Sequence, residues 1–159
     1  MITGFLILSL CTAASTLFGL ARYKKKKNRV AYYSACVRLT ERLIAEVSFR
    51  RDNLFALLKE FTAEESGELG EQINAFLAAP YAPFTPPGTL LTKADKQLLC
   101  AFLASLGQSD AKTQIFELNA YQKRFEEKCA VEREAFKKSA GVELKLFFLC
   151  GLAVGILIL

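Results

Sequence analysis

The 159-residue chain contains no histidine. Histidine is the commonest general base in enzymes and the commonest metal ligand, so its absence excludes Ser-His-Asp triads and histidine-zinc sites. The sequence also lacks a glycine-rich phosphate loop followed by Lys and Ser or Thr, which argues against nucleotide hydrolysis by this chain. We expect no metal and no organic cofactor.

Cysteine and carboxylate chemistry are also poorly supported. The five cysteines are at least 21 residues apart, whereas a disulfide framework or a zinc knuckle needs closer pairs, so we interpret them as reduced and hydrophobic. Glu126, Glu127 and Glu132 could serve as acid and base, but adjacent helical residues point apart. We predict that the protein is not an enzyme.

Apolar residues are concentrated at the two ends of the sequence. Residues 1–21 and 146–159 carry no charged side chain. As a helix, the first block rises about 31 Å, which matches the hydrocarbon core of a bilayer. We predict a transmembrane helix at 1–21 and a second transmembrane or membrane-anchoring helix at 142–159. A buried core helix or a half-inserted anchor is the alternative for the second segment.

A basic juxtamembrane segment, residues 22–29, follows the first block. It holds six of the 21 lysines and arginines, namely Arg22, Lys24, Lys25, Lys26, Lys27 and Arg29. The other 15 nearly balance the 16 acidic residues, so we expect no basic face for nucleic acid. The positive-inside rule places the segment in the cytoplasm, and it can also bind anionic lipid. A cleaved signal peptide would carry its charges before the apolar run.

Residues 30–141 are predicted to form a cytoplasmic helical domain. All four prolines lie within 80–88, which predicts a hinge between two helical halves. Apolar residues recur at helical spacing from Cys36 to Phe61, which predicts one long helix, and from Ile115 to Phe136, which predicts a seam that packs on it. Since alternating runs of β-branched residues are absent, the fold class is all-α.

A short corner is predicted between the last two helices of this domain. Its structural residues are Leu106, Gly107, Ser109 and Asp110. Gly107 accepts a positive φ angle where one helix ends, and Ser109 or Asp110 can cap the next helix. Gln108 and Gln114 are the candidate partner surface, with a purely structural corner as the competing interpretation.

Gly151 and Gly155 are spaced by four residues in the second apolar block. This spacing lets two membrane helices approach closely, although glycine is also common in such helices by chance. Both are candidates for membrane helix packing, and a homo-oligomer is possible.

The sequence resembles the stage III sporulation protein AB family of endospore-forming bacteria. The most specific stretch is residues 102–110 followed by Gln114, and the resemblance is weakest between residues 62 and 91. The family tends to have a proline-containing turn where this chain has residues 51–53, which leaves the end of the first helix open.

The resemblance implies an antiparallel helical bundle similar to the cytoplasmic domain of type II secretion platform proteins, between two terminal transmembrane helices. It implies a scaffold of the channel that joins mother cell and forespore, in the outer forespore membrane and facing the mother-cell cytoplasm. The implied partners are a secretion-type ATPase, stage III sporulation protein AA, and other products of the same operon. A membrane-anchored helical dimerisation or sensor protein unrelated to secretion is the alternative.

Overall fold

The computed structural model describes residues 2–49, 54–65, 67–80 and 83–157. These residues form helices and contain no strand, which confirms the all-α fold class. The helices are α1 (Ile2–Phe49), α2 (Leu54–Glu64), α3 (Glu68–Ala78), α4 (Lys93–Ser105) and α5 (Ala111–Leu157).

The chain divides into two compact units. The terminal unit comprises Met1–Val30 and Val131–Leu159, and the central unit comprises Ala31–Ala130. The predicted transmembrane segments 1–21 and 142–159 lie in α1 and α5, except that residues 1, 158 and 159 are outside the described part. No helix among the described residues combines the length and apolarity needed to cross a bilayer.

Apolar side chains from every helix meet in the core of the central unit. Each helix contributes at least one side chain that is 0% exposed, in chain order Leu39, Leu58, Ile73, Phe102 and Leu118. The Phe102 ring also contacts the Tyr121 and Phe125 rings edge-on, with centroids 5.4 Å apart in both pairs. Since burial of one large apolar side chain contributes about 1.5–3 kcal/mol, this core holds the helices together.

The stripe predicted from Cys36 to Phe61 lies on two helices instead of one. Cys36 and Leu39 belong to α1, whereas Leu58 and Phe61 belong to α2, and all four are buried. The residues between the two helices, 50–53, lie outside the described part. Periodicity missed the division because the step of seven residues from Val47 to Leu54 preserves the pattern whether or not the helix continues.

The proline-rich segment 80–88 connects α3 to α4, and both helices stop outside it, as the prolines predict. Side chains of the neighbouring helices hold the segment. Lys96 Nζ donates a hydrogen bond to the Gly88 carbonyl at 2.8 Å, and Cys100 Sγ donates one to the Phe84 carbonyl at 3.2 Å. These bonds attach the described part of the segment to α4. A segment that served only as a hinge would lack such bonds.

A buried amide attaches the same segment to α1 and α3. Gln72 is 0% exposed, and its Oε1 accepts a hydrogen bond from the Tyr32 hydroxyl at 2.6 Å. Its Nε2 donates to the Pro87 carbonyl at 2.7 Å and to Glu68 Oε1 at 3.1 Å. Burial raises the pKa of Tyr32, so its hydroxyl remains a donor. The amide is therefore fully engaged, as a buried polar group requires.

Asp95 is the buried carboxylate of the central unit, 4% exposed. It forms a capping box at the start of α4, in which Thr92 Oγ1 accepts from the Asp95 N–H and Asp95 Oδ2 accepts from the Thr92 N–H. Lys128 Nζ of α5 donates to Asp95 Oδ1 at 2.7 Å. Burial raises the pKa of Asp95, but interactions with Lys128, Thr92 and Tyr33 lower it by more, to about 2.

We expect Asp95 to make folding stability pH-dependent. Its pKa falls from 3.8 to about 2 on folding, so the unfolded chain takes up the proton at the higher pH. The stabilisation is therefore complete above about pH 5 and is lost between about pH 4 and pH 2. Asp95→Asn should remove this dependence and cost about 1–3 kcal/mol near neutral pH, measured by urea unfolding of the full chain.

Glu60→Gln is the matched control, because Glu60 is an exposed carboxylate of α2. It should keep the pH dependence of the unmodified protein. An Asp95→Asn variant whose unfolding free energy follows the same pH curve as the control would contradict the assignment.

Candidate functional site

The start of α1 and the end of α5 run antiparallel in the terminal unit. Arg29 Nη2 lies 2.6 Å from Glu132 Oε1, and the Phe18 and Phe147 ring centroids are 5.5 Å apart. The stretch of α1 from Phe18 to Arg29 therefore lies beside the stretch of α5 from Glu132 to Phe147, with the two helices running in opposite directions.

Three of the six basic residues of the segment face α5, namely Arg22, Lys26 and Arg29. Steps of four and three residues place these side chains on one helix face. Lys26 Nζ donates to Glu143 Oε1 at 2.5 Å, and Arg29 pairs with Glu132. The Arg22 guanidinium lies over aromatic rings of both helices. These cations hold the two helices in register.

The other three basic residues, Lys24, Lys25 and Lys27, are exposed. None of the ion pairs between described residues involves them. Spacing alone does not separate the six cations into these two sets, because it does not show where α5 lies. The lysines are the part of the segment that is available to a ligand.

Gly151 packs against α1 of the same chain. A Cβ at Gly151 would lie 2.9 Å from Ser15 Cβ and 3.0 Å from Thr12 Cα. A Cβ at Gly19, which the sequence reasoning did not select for packing, would lie 3.1 Å from Phe147 Cβ. Gly155 belongs to α5, but its surroundings are outside the described part. Gly151 therefore serves close helix packing within one chain.

The corner between α4 and α5 has the backbone predicted for Gly107, with φ +75°. Asp110 caps α5, because its Oδ2 accepts from the N–H groups of Lys112 and Thr113 at 3.2 and 3.4 Å. The hydrogen bonds with Thr113 lower the pKa of Asp110. Of the two capping candidates, Asp110 is thus the cap. Leu106, which directly precedes Gly107, is buried.

Gln114 is 2% exposed, which corrects the prediction that it belongs to an exposed polar surface. Its Oε1 accepts from the Gly107 N–H at 2.9 Å and from the Ser109 hydroxyl at 3.5 Å. Its position four residues before Leu118 places it on the buried face of α5. Gln114 therefore positions the corner, while Gln108 is exposed as predicted.

Phe116 is a candidate contact residue that the sequence reasoning missed. It is 76% exposed on α5 and borders a groove of about 220 Å³ with Tyr121 and Arg124. Lys112 and Lys123 are exposed on the same helix face, four residues before and seven residues after it. The available signal was that the predicted seam includes Ile115 and leaves the adjacent aromatic residue off it.

The described residues contain no cluster of three or more Cys, Asp or Glu side chains that could hold a metal ion. Of the carboxylates considered for acid-base chemistry, Glu126 accepts a hydrogen bond from Gln122 at 3.0 Å, and Glu132 pairs with Arg29. The absence of enzymatic activity stays a prediction.

Residues 85–159 match a family model described as Stage III sporulation protein AB. The matched segment contains α4, the corner and α5. Comparison with curated proteins and with solved structures gave no match. The resemblance to this family is confirmed over the matched segment, and it implies a sporulation-related role.

Strain at residue 107 should be measurable without any steric clash. No atom lies within 4 Å of a Cβ built at Gly107, so Gly107→Ala changes only the cost of the positive φ angle. We expect a loss of about 1–2 kcal/mol in thermal unfolding of the full chain. Gln108→Ala, the neighbouring exposed position, should leave the melting temperature unchanged. Equal melting temperatures for both variants would refute the assigned corner geometry.

A methyl group at residue 151 should separate the helices of the terminal unit. Gly151→Ala brings a Cβ to 3.0 Å from Thr12 Cα, which is backbone and cannot swing away. Gly141→Ala is the matched control, since no atom lies within 4 Å of its Cβ and alanine stabilises a helix by about 0.5–1 kcal/mol. Amide hydrogen exchange in the terminal unit should rise only in Gly151→Ala. Unchanged exchange there would rule out close packing at this glycine.

Proposed function

We propose that this chain, whose residues 85–159 belong to the stage III sporulation protein AB family, is a non-enzymatic platform of the secretion-like channel between mother cell and forespore. The family match carries the proposal, because it implies the sporulation-related role. The platform couples a cytoplasmic secretion-type ATPase, stage III sporulation protein AA, and other products of the same operon to the membrane complex. Its location is the outer forespore membrane, with the central unit in the mother-cell cytoplasm.

Attachment to the membrane is the task of the terminal unit in this proposal. Its large exposed apolar side chains are Leu10, Leu17, Phe18, Leu20, Val142, Leu146, Phe148, Leu149, Leu152, Val154 and Ile156. An exposed set of large apolar side chains of this kind is unfavourable in water and favours contact with another apolar phase. This surface supports anchoring of both helix ends in the lipid.

The ATPase-facing surface is assigned to exposed residues of the family-matched segment. Gln108 and Phe116 are exposed, and Lys112 lies on the Phe116 face of α5. An exposed aromatic side chain on a rigid helix is a typical anchor of a protein interface. Lys112 and Lys123 beside it favour a partner pocket that is apolar and rimmed by carboxylates.

Removal of this surface should reduce sporulation without unfolding the protein. We expect Phe116→Ala combined with Gln108→Ala to weaken co-purification of the ATPase roughly tenfold and to lower the yield of heat-resistant spores at normal protein level. Val131→Ala is the matched control, because Val131 is 65% exposed on the same helix. Normal co-purification in the double variant would reject this surface. A normal spore yield after deletion of the whole chain would reject the proposed function.

A further inference from the structure

One face of α1 changes from apolar to cationic within a single helical turn. Leu17 and Leu20 are 67% and 47% exposed, and Lys24 and Lys27 are also exposed. Successive steps of three, four and three residues place all four side chains on the same face. Leu20 and Lys24 are separated by about 6 Å along the helix axis. The leucines and lysines therefore form one continuous stripe.

The charge of this stripe is not neutralised by its own helix. The first acidic residue in the sequence is Glu41, so the basic segment has no carboxylate near it on α1. The carboxylates of α5 that reach the segment, Glu132 and Glu143, pair with Arg29 and Lys26 on the opposite face. Lys24 and Lys27 consequently carry the positive charge of the stripe.

We propose that Lys24 and Lys27 bind the phosphate groups of anionic phospholipids, while Leu17 and Leu20 contact the acyl chains of the same lipids. A soluble phosphate could use the lysines but not the leucines, whereas a phospholipid uses both in the order in which they occur along α1. The inference rests on the membrane attachment proposed above and adds headgroup selectivity to it. Each lysine at an anionic surface contributes roughly fivefold to lipid association.

The chain contains no tryptophan, so a single introduced tryptophan reports on this surface alone. Leu20→Trp places the reporter one turn from Lys24. The full chain is reconstituted in vesicles that contain either brominated phosphatidylglycerol or brominated phosphatidylcholine, and quenching of the tryptophan is compared. We expect several-fold stronger quenching by brominated phosphatidylglycerol. Replacement of Lys24 and Lys27 by glutamine should abolish this preference, and Leu17→Trp provides a second reporter if Leu20→Trp disturbs the fold.

Two adjacent single variants form the matched control. Lys27→Gln and Lys26→Gln each remove one charge, but Lys26 contacts Glu143 and Ser139, and glutamine can retain hydrogen bonds to them. Lys27→Gln should lower the preference for phosphatidylglycerol, whereas Lys26→Gln should keep it. An equal loss of the preference for phosphatidylglycerol in the two variants would overturn the assignment to the lysines of the stripe.

The remaining outcomes separate this inference from membrane attachment itself. Equal quenching by both brominated lipids would overturn headgroup selectivity and leave the attachment intact. No quenching by either lipid, with both reporters, would overturn the attachment and the inference together. Inorganic phosphate that suppresses the preference, where chloride at the same ionic strength does not, would assign the lysines to a soluble anion instead.

Discussion

The architecture of the central unit depends on the buried carboxylate of Asp95. A buried ionised group is costly unless it is paired and hydrogen-bonded, and here the partners come from the start of α4 and from α5. Tyr33 of α1 also lowers the pKa of this carboxyl. Asp95 therefore links α4 to α5, because Thr92 stands at the start of α4 and Lys128 belongs to α5. Once α4 and α5 are fixed in this way, the chain between them must reverse within a few residues, which the positive φ of Gly107 permits.

The terminal unit relies on a different balance of interactions. Its ion pairs are partly exposed, with side-chain exposures of 33% and 32% for Lys26 and Glu143, and such pairs contribute about 0–1 kcal/mol. Their effect is to select the register and rotation of the helices more than to stabilise them. Close approach at Gly19 and Gly151 supplies packing, and the rotation that turns Lys26 toward α5 leaves Lys24 and Lys27 on the outside. Helix rotation thus decides which cations are structural and which can meet a ligand.

Features that are encoded locally could be predicted from the sequence. The positive φ of Gly107, the cap at Asp110 and the break at the prolines each depend on a few neighbouring residues. The burial of Gln114 could not be predicted, because its polarity suggests exposure, and only the folded corner reveals that the Gly107 N–H needs its oxygen as an acceptor. The separate uses of the six basic residues depend likewise on where α5 lies, which spacing alone does not give.

The family-matched segment could not form the observed core on its own. Phe102 and Leu118 lie within residues 85–159, but the core that buries them also includes Leu39 and Ile73 from outside the match. Since an isolated helix gains most of its stability from tertiary packing, α1 to α3 serve as the support on which α4 and the start of α5 are held. The same packing decides that Phe102 and Phe125 are buried whereas Phe116 faces solvent. One set of helices, α1 to α3, thus fixes the position of the exposed surface that α5 carries.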